Sequence, residues 1–180
     1  MKTARYTLLV ISALLFAGCP AQSIFGLFSD HSRQSIPFLA GSWGDENGET
    51  MFSFTETDPG RYDAAMIEKG DTNRFIVETG MIGTRWFLDS YPEKNCDNSH
   101  SINVHIFWNV KVNGDTLRLS SLEGDRLKEL SDAKQLTAAH LKQGGDILLT
   151  ASTDELRAFV LSLAADPKAF PEASPLIRVR

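Results

Sequence analysis

The sequence predicts an all-β protein, an antiparallel up-and-down barrel of about eight strands with a short inserted helix and a C-terminal helix. Three observations predict it. From residue 41 to about 122, apolar side chains alternate with polar ones in short runs of even spacing. Gly, Pro and Asn punctuate those runs, and only after them does the period lengthen to that of a helix.

Residues 1–18 read as a secretory signal peptide: Lys2 and Arg5 give a basic start, an apolar run covers 6–16, and Ala17 and Gly18 are small. A spanning helix needs about 20 apolar residues, more than this run supplies. A lone cysteine follows, and a thiolate is the strongest side-chain nucleophile for taking up a lipid. Leu15-Phe16-Ala17-Gly18-Cys19 resembles the lipobox of bacterial lipoproteins. The resemblance implies that a diacylglyceryl group joins the Cys19 sulfur and that the signal is cut before it. Membrane attachment through Cys19 then follows. In that family an Asp after the cysteine often marks the inner membrane; Pro20 here implies the outer membrane, facing the periplasm. The alternatives are plain secretion with cleavage near Ala21 and an uncleaved anchor.

Residues 19–38 read as a lipidated tether, with Ser, Gln, Asp and Pro around Ile24, Phe25, Leu27 and Phe28. As a flexible link it spans roughly 20 to 25 Å. The apolar cluster either dips into the headgroup region or closes one end of the folded domain, the second being preferred because Phe38 and Leu39 carry its character onward. Residues 39–180 form the barrel domain.

Within it, Phe52 and Phe54 share a face, Asp58-Pro59-Gly60 turns the chain, and Tyr62, Ala64 and Met66 resume the alternation. After Gly70-Asp71, Phe75, Val77, Thr79 and Met81 share a face; Gly80 and Gly83 permit a bend before Trp86 and Leu88. The cleanest strand covers 102–112, with Ile106, Trp108 and Val110 on one side and His105 and Asn109 on the other. Asn113-Gly114 predicts a type I′ turn, so 116–122 pairs back with Leu117 and Leu119 inward. Residues 124–134 read as a short helix, and a strand pair surrounds Gly144-Gly145. A second helix starts at the capping-box pair Ser152 and Glu155, carries Leu156, Phe159, Val160 and Leu163 as one stripe, and stops at Pro167. Leu176, Ile177 and Val179 make a terminal strand.

Leu39-Ala40-Gly41-Ser42-Trp43 looks like the Gly-x-Trp start of the first lipocalin strand, and a helix after the main strands is similar to the lipocalin plan. That resemblance implies a cup-shaped barrel taking a small apolar ligand in its mouth. An eight-strand barrel is either filled by side chains or wide enough for one small ligand. The candidate ligand-binding residues are Phe52, Phe54, Tyr62, Trp86 and Trp108; the other reading is that they simply fill the core.

Charge and motif content narrow the function classes. The chain carries 18 Lys+Arg against 23 Asp+Glu, and loss of Lys2 and Arg5 with the signal brings the formal charge from −5 to −7. No Lys/Arg run stands outside the signal, so nucleic acid is not an expected partner. His31, His100, His105 and His140 are scattered, without zinc-ligand spacing, and neither a phosphate loop nor a nucleophile elbow is present. No metal, cofactor or catalytic residue is expected, and an enzyme is the least favoured class. Cys96 and His100 share one polar stretch, which reads as a loop rather than a catalytic dyad. Asp45, Glu46 and Glu49 read as solvated charge at a strand connection. Two expectations remain: a membrane-held barrel that binds or shuttles a small apolar molecule, or an interaction module assisting or inhibiting an envelope protein partner.

Overall fold

Period-two alternation makes strands with one apolar face, and a sheet of such strands hides that face most completely by closing on itself. The computed structural model describes residues 19–93 and 103–180. Among them, β2 (Gly41–Gly44), β3 (Thr50–Asp58), β4 (Arg61–Glu68), β5 (Asp71–Ile82), β6 (Arg85–Pro92), β7 (Ile106–Asn113) and β8 (Thr116–Ser121) form an antiparallel meander. The last strand, β11 (Leu176–Val179), pairs with β8 on one side and β2 on the other and completes a closed eight-strand barrel. The register puts Trp43, Phe52, Met66 and Asn73 in one inward row, and Leu88 beside Trp108 in another.

Local chemistry sets the turns. Lys69 and Gly70 both take positive φ between β4 and β5, as do Gly144 and Gly145 between β9 (His140–Gln143) and β10 (Asp146–Leu149). The β7–β8 hairpin corrects one expectation. Asn113 pairs with Thr116, so the two-residue loop is Gly114-Asp115, with positive φ at Gly114 alone. This is the Gly-first arrangement of a type II′ turn, not the Asn-Gly type I′.

Between β8 and β11 the chain leaves the barrel. It forms α1 (Gly124–Asp132), the β9–β10 hairpin and α2 (Thr153–Leu163), whose capping box has Glu155 accepting the Ser152 N–H at 2.9 Å. The stripe Leu156, Phe159, Val160 and Leu163 is buried against Phe87 and Phe107, which point outward from β6 and β7. Each such side chain contributes roughly 1.5–3 kcal/mol on full burial. The polar face expected at His105 and Asn109 is therefore largely covered: Asn109 is buried, and His105 is 18% exposed.

The flexible link expected over residues 20–38 is also corrected. Ala21 donates its N–H to the Leu122 carbonyl at 2.7 Å, and β1 (Gln22–Ser23) adds to β10 as a parallel strand. Leu27 and Phe28 are buried in the outer core, and Leu27 N–H donates to Asp89 Oδ2 at 2.8 Å. Asp89, fully buried, also bonds His105 Nδ1 at 2.8 Å. Burial pushes its carboxyl above the usual range, against the opposing pull of His105 and the Leu27 N–H. The segment is thus a strap laid over the barrel wall, and its contacts explain two glycines: a Cβ at Gly80 would stand 2.6 Å from the Phe28 ring, and one at Gly26 2.6 Å from Asp89 Oδ2.

Candidate functional site

The strap continues across one end of the barrel and seals it. Gln34 N–H donates to the Thr79 carbonyl at 2.8 Å, Thr79 Oγ1 donates back to the Gln34 carbonyl at 2.7 Å, and Ile36 and Leu39 are buried with the interior side chains. Trp43 is fully buried here, with its indole N–H donating to the Leu39 carbonyl at 2.8 Å. The Arg178 guanidinium covers the Trp43 ring at 4.2 Å and donates to the carbonyls of Phe38 and Ala40. Cation–ring attraction and satisfied donors together close this end.

The opposite end is hollow. A cavity of about 670 Å³ opens beside the β4–β5 and β6–β7 connections, within the range of small-molecule sites. Its wall is Phe52, Phe54, Met66, Phe75, Leu88, Ile106, Trp108 and Leu119. Thr72, Asn73, Arg74 and Glu93 give the lining its polar groups. Phe52 and Phe54 stack at 6.4 Å between centroids, and the Trp108 indole N–H is satisfied by Ser90 Oγ at 2.9 Å. With that donor engaged, Trp108 offers the cavity mainly apolar ring surface.

The five sequence candidates separate. Phe52, Phe54 and Trp108 line the cavity; Tyr62 and Trp86 do not. Tyr62 is buried in the packed part of the barrel, where desolvation first and the Glu56 carboxylate second push its hydroxyl up to about 12. Trp86 sits opposite Met81 and Val110 and packs on the interior core. Sequence reasoning passed over Ser90, although it follows Trp86 and Leu88 at the same inward spacing on β6 and carries the hydroxyl that anchors Trp108.

Cys19 is exposed, and its carbonyl accepts the Gly124 N–H at 3.0 Å. Pro20, the next residue, forms a bridge with Glu123 and belongs to the cavity lining. No sequence signal foretold this meeting of chain start and cavity, because Glu123 and the cavity residues are all remote from Pro20 along the chain. Asp45 and Glu49 stand at the β2–β3 connection, where Asp45 Oδ1 accepts the Glu49 N–H at 2.9 Å. Among the described residues no three His, Cys, Asp or Glu side chains gather as a metal site, and no helix is long and apolar enough to cross a membrane. The signal segment, Cys96 and His100 lie outside the described residues. Comparisons with protein-family models, curated proteins and solved structures return no match.

Proposed function

We propose that the protein is a lipid-anchored carrier of the bacterial envelope, held at the outer membrane through Cys19 and facing the periplasm, whose barrel holds or shuttles a small apolar ligand. One observation carries the ligand reading: a closed barrel sealed at one end by Ile36, Leu39 and the Trp43–Arg178 pair keeps an apolar-walled hollow of about 670 Å³ at the other. A barrel serving only as a scaffold gains by filling such a space, since each missing contact forfeits dispersion energy. The lipobox resemblance of Leu15-Phe16-Ala17-Gly18-Cys19 supports the anchor, and Gly41-Ser42-Trp43 with a helix after the main strands is similar to the lipocalin plan.

Native mass spectrometry of exported protein carrying Cys19→Ser, purified without detergent, tests the carrier. The expected spectrum shows a bound mass that is lost on denaturation and weakened by Trp108→Ala. Bare polypeptide across repeated preparations would set tight binding aside and direct attention to an envelope protein partner. Labelling with a clickable palmitate analogue tests the anchor: wild type incorporates it and fractionates with outer membrane, whereas Cys19→Ala does neither.

A further inference from the structure

The start of the folded chain and the mouth of the cavity are the same place. Cys19 is bonded to α1 through its carbonyl, Pro20 lines the cavity, and Ala21 is already buried. A Cβ on Gly124 would stand 2.6 Å from the Cys19 carbonyl oxygen, so even the first turn of α1 is shaped to this contact. A lipid on the Cys19 sulfur therefore has no slack chain between it and the barrel. The bilayer surface must lie against the end of the molecule where Pro20 sits, which is the open end.

Resting on the reading of Cys19 as the anchor and the barrel as a carrier, we infer that the barrel stands mouth-down on the membrane and that its cavity takes the acyl chain of a bilayer lipid directly. The dimensions agree. At about 30 Å³ per carbon, close to water's share of its liquid, a sixteen-carbon chain needs about 480 Å³, and the cavity holds about 670 Å³. The polar groups agree as well: Thr72, Asn73 and Arg74 follow the β4–β5 turn, where a headgroup would remain as the chain enters. Asn73, in the inward row of the register, offers such a headgroup an amide that can donate and accept hydrogen bonds. A chain moving from bilayer to cavity exchanges one apolar surrounding for another and never crosses water, so the cost of exposing its CH2 groups is avoided.

The experiment uses full-length lipidated protein in vesicles of phosphatidylethanolamine and phosphatidylglycerol whose acyl chains are brominated at mid-chain, a contact quencher of tryptophan. The expected result is loss of the Trp108 emission, identified as the component missing from Trp108→Phe. A flexible ten-residue Gly/Ser spacer between Cys19 and Pro20, with an r.m.s. span of about 17 Å, should restore much of it. Free brominated fatty acid added to the Cys19→Ser protein reports separately on the carrier reading. Quenching by the free acid with none from vesicles overturns the mouth-down inference and leaves the carrier intact. Lipidated protein quenched neither by vesicles nor by free acid, while Cys19→Ser is quenched by free acid, puts the protein's own anchor chain in the cavity and overturns the bilayer source. No quenching in either setting overturns both, and a spacer variant quenched as fully as wild type overturns the docking geometry.

Discussion

The two ends of the barrel are built from the same eight strands with the same alternation, yet one is packed and the other is hollow. At the sealed end the chain supplies a lid of its own: Ile36 and Leu39 fill the bore, and Arg178 covers Trp43. At the open end the inward aromatics Phe52 and Trp108 are as large, but no segment among the described residues fills the space between them. Bulk on an inward face thus does not decide whether a barrel is filled. What decides it is where the chain crosses the bore.

That contrast can be broken first at the sealed end. Trp43→Ala removes a fully buried ring together with the indole bond to Leu39, and should cost about 3–5 kcal/mol in urea unfolding. Asp89→Ala removes the acceptor of the Leu27 N–H and the His105 partner, loosening the strap that forms the lid; a loss of about 2–4 kcal/mol is expected, with faster hydrogen exchange over residues 21–36. Trp108→Ala sharpens the contrast from the other side. Its ring already borders empty space, so the stability cost should stay near 1–2 kcal/mol while apolar-ligand affinity falls at least about tenfold, the equivalent of 1.4 kcal/mol.

The pH response of the strap follows from its buried acid. Burial raises Asp89 above the ordinary aspartate range, so its stabilising contribution is full below that range and is lost as pH rises through the raised value. The stability advantage of wild type over Asp89→Asn should therefore be largest in acid and shrink as pH rises, as unfolding curves at successive pH values will show. The smallest effect is expected at the β7–β8 turn, away from the open mouth: Gly114→Ala at φ 59° should cost about 1 kcal/mol without touching ligand binding.

Strands and helices were legible because their signals are local. Period-two alternation placed β3 to β8 on the correct faces, and Ser152 with Glu155 marked the start of α2. The strap was legible only in its apolar cluster, whose Leu27 and Phe28 do pack on the folded domain. Its polar composition resembles a linker, and the groups that hold it are remote, 62 residues from Leu27 to Asp89 and 127 from Gly26 to Thr153. The same remoteness divided the candidate site. Phe52, Phe54 and Trp108 front the cavity while Tyr62 and Trp86 are packed, and nothing in their own strands distinguishes them. The distinction is made by Ile36, from the segment that reads as a tether, and by Leu39 directly after it.

The most direct test of the central claim is a titration of the soluble Cys19→Ser protein with a fluorescent polyene fatty acid, repeated for Trp108→Ala and Tyr62→Phe. A hollow open end predicts saturable one-to-one binding that unlabelled sixteen-carbon fatty acid displaces, weakened by the first substitution and unchanged by the second. Binding that does not saturate, or that Trp108→Ala leaves untouched in a protein still folded, would contradict it.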